Sequence, residues 1–205
     1  MFFFTEVVFL DRSMNYKSEP YPENITDLLK QADDLSFYIV SKLNSNNCKT
    51  VSDLYSSLNG KIIRNKKQFD ELGYEPNTLS NTNSKNQVNN EFKGLYIFGD
   101  EVNGKVIPVY VGISRSIFRR LKQHAWGMKH NECSLAYLKT KHNWALEDKI
   151  VNRASIRDQD MLSAKSVIQN YKVVLVEVQN DYDLYFLEVT LAGIFRTKWN
   201  SFKTH

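Results

Sequence analysis

The stretch GLYIFGDEVNGKVIPVYVG, residues 94–112, leaves this chain few choices. Two runs rich in Val, Ile, Tyr and Phe, GLYIF (94–98) and VIPVYVG (106–112), flank a turn at 99–104. That turn contains Asn103-Gly104, a dipeptide that readily takes the positive φ angles of a tight hairpin. The spacing predicts a β-hairpin. An isolated hairpin is at best marginal in water, so the rest of the chain must cover its faces.

Immediately after it the period changes. A helix carrying Ile117, Phe118 and Leu121 begins after Ser114 or Ser116, either of which is placed to cap it. SLAYLKTK (134–141) and about 145–170 read as helices with loops, and YKVVLVEVQ (171–179) as a third strand. DYDLYFLEVTLAGIF (181–195) is a last helix with Leu184, Leu187, Leu191 and Ile194 inward.

Upstream, NITDLLKQADDLSFYIVSKL (24–43) sets Ile25, Leu28, Leu29, Ala32, Leu35, Tyr38, Ile39 and Leu43 along one helical stripe. A shorter helix is expected over Thr50–Leu58, stopped by Gly60, with a further turn in KKQFDEL. PNTLSNTNSKNQVNNE (76–91) has no apolar period and reads as a linker. The division expected is therefore a mainly helical extension, 1–90, and a second unit, 91–205, with an insertion at about 127–170.

Charge follows that division. Residues 1–90 hold 10 Lys/Arg against 11 Asp/Glu, and residues 91–205 hold 17 against 12. Between Arg115 and Lys141 seven basic residues face the single acid Glu132, which suits contact with a polyanion such as nucleic acid. Arg115, Arg119, Lys122, Lys129, Lys139 and Lys141 are the residues expected to meet phosphates.

Two cysteines, Cys48 and Cys133, make no disulfide framework and point to a reducing, cytoplasmic setting. MFFFTEVVFL lacks the basic start of a signal peptide and reads as a buried strand or docking arm. No apolar run approaches the roughly 20 residues of a membrane span, so no membrane partner is expected.

Arg120 and His124 share one helical face, and Glu188 lies mid-helix between Leu187 and Val189, beside the inward stripe. A carboxylate at a core edge needs a cation, a metal or a hydrogen bond. His130, Cys133 and His142 are the one grouping with soft-metal ligand types, though their spacing fits no common zinc pattern.

Gly94-Leu95-Tyr96, then Tyr110-Val111-Gly112, then Arg120, and finally Glu188 and Asn200 twelve residues apart, resemble in order and spacing the signature of the GIY-YIG nuclease family. The resemblance covers about 94–200. It implies a small α+β domain, a three-stranded antiparallel sheet flanked by helices, here with the helical extension and helical insertion. It further implies a phosphodiester-cleaving endonuclease dependent on Mg2+, with Mn2+ as substitute. Glu188 would hold the ion, Arg120 would meet charge on the phosphate, and Tyr96 or Tyr110 would take a proton from water. His124 would orient a tyrosine or bind phosphate, and Asn200 would order the Glu188 region or the metal waters. Gly94 and Gly112 would be structural, with Gly112 turning the strand.

The long insertion, the histidine after the arginine and the NSFKTH ending are most similar to the restriction-enzyme branch. That branch would bring DNA as partner, a homodimer and a companion methyltransferase. An inactive nucleic-acid-binding module of the same fold, a structure-specific repair or mobile-element nuclease, and a zinc-stabilised interaction domain are the alternatives.

Overall fold

The computed structural model describes residues 24–71, 93–149, 152 and 155–202. Helix α1, Ile25–Leu43, starts at Asn24, whose side chain accepts the Thr26 N–H at 2.9 Å. Its buried stripe is Leu28, Ala32, Ser36, Ile39 and Leu43; Ile25, Leu29 and Tyr38, expected inward, are exposed. The stripe is narrower than the periodicity suggests because one sheet face covers only one side of the helix.

The helix expected over Thr50–Leu58 is not formed. A short 3-10 turn, Ser52–Leu54, leads into β1, Tyr55–Leu58, which pairs antiparallel with β2, Lys61–Arg64. The reason is Asn59-Gly60, at φ 50° and 74°, which makes a hairpin turn rather than a helix stop. Helix α2, Lys66–Glu71, supplies the expected extra turn.

The central hairpin forms as predicted. β3, Gly94–Val102, and β4, Lys105–Ser114, join through Asn103 (φ 53°) and Gly104 (φ 74°). Then come α3 (Ile117–Trp126), α4 (Ser134–Leu146), a 3-10 turn (Asp158–Met161) and α5 (Leu162–Asn170). β5, Lys172–Glu177, and α6, Asp181–Phe195, complete the order, with the Asn180 side chain accepting the Asp183 N–H at 3.1 Å. The chain is thus α+β: a three-stranded antiparallel sheet, ordered β4-β3-β5 and flanked by helices, with β1–β2 as a separate two-stranded sheet.

Alternation along β3 divides the core. Leu95 and Ile97 face one way, into a cluster with Ala32, Ile39 and Leu43 of α1 and Leu184, Leu187 and Leu191 of α6. Tyr96 and Phe98 face the other way, with Ile117, Phe118 and Leu121 of α3, Leu135 and Ala136 of α4, Ile168 of α5, and Leu54 and Tyr55. Both clusters draw on residues from either side of the boundary expected near residue 90. The linker expected from 76 and the arm expected in MFFFTEVVFL lie outside the described residues.

Strand β4 carries an irregularity that decides the site. Phe98 pairs with Tyr110 and Gly99 with Pro108, so Val109 is an extra residue opposite no partner, a β-bulge. Beyond it the faces exchange: Val109 and Tyr110 both lie against the Tyr96–Phe98 cluster, and Val111 against the other. Without the bulge Tyr110 would face α1 and α6. No helix among the described residues is long and apolar enough to cross a membrane.

Candidate active site

Tyr96 is almost fully buried, 1% exposed, because it occupies the core face of the middle strand. Its hydroxyl lies 2.8 Å from Nε2 of His124, which α3 presents on its inward side. The directly opposed residue on β4 is Gly112. A Cβ there would stand 2.3 Å from Tyr96 Cζ and 2.8 Å from Tyr110 Cε1, so only glycine leaves room for the two rings. Gly94 is similarly constrained: a Cβ would stand 2.0 Å from the Val176 carbonyl oxygen of β5. The turning role expected of Gly112 is therefore corrected. Both glycines sit inside strands, and close approach is what demands them.

Tyr110 packs at 6.1 Å from the Tyr96 ring, stacks on Phe98 at 6.0 Å and meets His124 edge-on at 5.6 Å. Unlike Tyr96 it is partly exposed. Burial raises the pKa of both phenols above the ordinary 10. Arg120 acts on both in the opposite sense without overcoming burial, and Glu188 pushes Tyr110 up further. Both are hydroxyl donors at neutral pH.

Arg120, partly exposed on α3, is held by the turn into α4. Nη1 donates to the carbonyls of Asn131 (3.1 Å) and Glu132 (2.9 Å), and Nη2 to Ser134 Oγ (2.9 Å). The Glu132 carboxylate braces that turn by accepting the N–H groups of Met128 and Lys129, at 3.2 and 3.3 Å. Ser134 and this turn are site residues that no motif announces, because carbonyl groups at the start of a helix carry no sequence signature.

His124 is fully buried, which removes a direct phosphate contact and leaves the orienting role. Burial first, and then Arg120, hold its pKa well below the usual 6.5, so the ring is neutral. Nδ1 is buried without a hydrogen-bond partner among the described residues. Either tautomer therefore strands one ring nitrogen, at a cost of about 1–3 kcal/mol.

Glu188 reaches the same region from α6. It is partly buried, and among the described residues no hydrogen bond or ion pair meets its carboxylate. Burial raises its pKa from 4.5 to about 7. Its charge acts on Tyr110 and pushes that phenol's pKa up, so the two groups lie within electrostatic range of each other.

No hydrogen bond joins Asn200 to Glu188 among the described residues. Its side-chain amide brackets Val111 of β4, accepting the N–H at 2.8 Å and donating to the carbonyl at 2.7 Å, while Thr197 Oγ1 donates to it at 2.8 Å. What the amide does in this structure is hold the open edge of β4, through one N–H of its NH2 group and through its oxygen.

The expected phosphate-contacting residues differ in their surroundings. Arg115 pairs with Asp181, and Lys122 Nζ donates to the Ile62 carbonyl at 2.6 Å. Arg119, Lys129 and Lys141 are exposed. Lys139 is partly buried and donates to the Tyr171 hydroxyl at 2.7 Å.

No group of three His, Cys, Asp or Glu residues suited to a metal exists among the described residues. His130 Nε2 lies 2.6 Å from the Ile156 carbonyl, Cys133 Sγ donates to the Lys129 carbonyl at 3.0 Å, and His142 packs edge-on against Trp199. The zinc grouping is thus dispersed. A single carboxylate does fit a hard ion such as Mg2+, which keeps most of its waters and takes one or two protein oxygens.

The arrangement as a whole is one carboxylate without a counter-charge among the described residues and one braced guanidinium, both acting electrostatically on one partly exposed phenol. No family model matches the chain, and no curated protein or solved structure matches it.

Proposed function

We propose that the chain is a Mg2+-dependent endonuclease that hydrolyses DNA phosphodiester bonds at the edge of β4, as a member of the GIY-YIG nucleases would. The observation that carries this reading is Glu188: a partly buried carboxylate with no counter-charge among the described residues, whose charge is felt by Tyr110. A desolvated carboxylate with a shifted pKa marks a candidate functional position, and a divalent cation would supply the counter-charge.

Glu188 would hold the ion through one carboxylate oxygen. A bound Mg2+ supplies Lewis-acid polarisation of a phosphate oxygen and charge for the leaving oxygen. The remaining work belongs to the chain. Arg120, fixed by three hydrogen bonds, presents positive charge to the phosphate without reorganising. Tyr110, the partly exposed phenol of the pair, would orient the attacking water, and would take its proton only once the charges of a bound ion and Arg120 had removed its own. Tyr96 and His124 hold the face on which Tyr110 rests. The antiparallel sheet and helix order fit the architecture that the motif residues imply.

Incubating the full chain with supercoiled plasmid and Mg2+ tests this. Nicking is expected for the wild type and its loss for Glu188→Gln. Arg120→Ala should slow the rate at least a hundredfold; a change under tenfold, about 1.4 kcal/mol, would exclude it from the transition state. DNA binding without nicking by the wild type would instead identify an inactive binding module.

A further inference from the structure

Trp199 gathers two ammonium groups onto one indole. Nζ of Lys139, from α4, lies 4.5 Å from the ring centroid, and Nζ of the exposed Lys198 lies 4.9 Å from it. His142 meets the same ring edge-on at 5.5 Å. Neither lysine forms a salt bridge among the described residues. Other basic groups are matched by acids: Lys93 and Arg115 share Asp181, and Lys165 pairs with Asp158.

Lys139 is fixed as well as charged, because it donates to the Tyr171 hydroxyl and lies 5.2 Å from that ring. Burial lowers its pKa; the Asp100 charge opposes that, and the Lys198 charge adds to it. Two like charges on one ring repel each other, and an anion between them relieves the repulsion.

The platform is rigid. The backbone N–H of Trp199 donates to the Val109 carbonyl at 3.1 Å, and Asn200 brackets Val111. Trp199 is therefore clamped to β4 beside Tyr110, and Tyr171 reaches Tyr110 through Phe98, at 6.1 and 6.0 Å between successive rings.

We propose that Lys139, Lys198 and Trp199 form a phosphate subsite that grips the backbone of a nucleic-acid strand next to the Tyr110–Glu188 edge, an inference that rests on the endonuclease reading. Two separate ammonium groups suit a diester backbone, in which each phosphate carries one charge and no bidentate fork is required. The indole and the lysine stems offer an apolar surface to the sugars between phosphates.

The test is fluorescence anisotropy of a labelled DNA duplex with the full chain in EDTA, over a series of salt concentrations. Lys198→Gln and Lys139→Gln should each lower the slope of log K against log salt by about 1, and the pair by about 2. Lys198→Gln, at an exposed position, should leave the melting temperature unchanged. Unchanged slopes in both single variants overturn the subsite, as does a wild type that binds no DNA.

Inorganic phosphate at constant ionic strength separates the sources. A Trp199-dependent fluorescence change, absent in Trp199→Phe, that appears with phosphate but not with DNA overturns the strand assignment. Absence of nicking by the wild type, together with a lowered slope in Lys198→Gln, removes the endonuclease reading and leaves the subsite standing, whereas nicking that survives Glu188→Gln removes only the role given to Glu188.

Discussion

Glu188 holds its proton to about pH 7 because burial disfavours the carboxylate and nothing among the described residues offsets it. The sign of the stability effect follows. Between 4.5, the ordinary value, and about 7, the folded chain binds this proton more tightly than the unfolded chain does. Stability is therefore full below that window and falls as pH rises through it. Glu188→Gln should flatten the profile of melting temperature against pH there, and stabilise the metal-free protein above it by about 1–2 kcal/mol after allowance for partial exposure. Thermal melts of both proteins in EDTA check this, and identical profiles would assign the effect to another group. If Glu188 holds Mg2+ as proposed, proton and ion compete for it, and the concentration of ion needed for nicking should climb below pH 7.

Strand β4 is the element on which everything converges, and side chains close its open edge. Asn44, just past α1, brackets Val106, donating to its carbonyl and accepting its N–H at 2.9 Å each, as Asn200 brackets Val111. Unpaired strand edges invite association with other chains, and two amides and the backbone N–H of Trp199 occupy this one. Asn200→Ala releases two such bonds and should cost about 1–3 kcal/mol. Urea unfolding checks it through a lower midpoint at constant slope. A loss of nicking well beyond the loss of folded protein would instead return Asn200 to the chemistry.

At the scale of the molecule the sheet is a layer covered on both faces, and α1 is much of one cover. Ala32, Ile39 and Leu43 lie on Leu95, Ile97 and Val111 without measurable exposure. Removing residues 1–71 would bare that face and strip Leu54 and Tyr55 from the other. The remaining chain should then show no cooperative thermal transition, by calorimetry or near-ultraviolet dichroism; a sharp transition would mean that residues 91–205 fold alone.

Local interactions determined what the sequence made legible. Asn103-Gly104 sets the central hairpin, because positive φ at two adjacent positions is a property of those residues. The leucine spacing sets α6, and the order of Tyr96, Tyr110, Arg120 and Glu188 was readable as a pattern. Asn59-Gly60 offered the same turn signal for β1–β2, but YSSL and KIIR are too short to display alternation. What tertiary structure alone decided concerns pairing across the chain. The bulge at Val109 turns Tyr110 to the site face, yet a bulge exists only relative to the partner strand. The carbonyls that brace Arg120, the withdrawal of His124 from water and the diversion of Asn200 to Val111 likewise depend on groups at least eleven residues distant. A residue's type fixes what it can bond; only the packed chain fixes which partner it meets, and how much water is left between them.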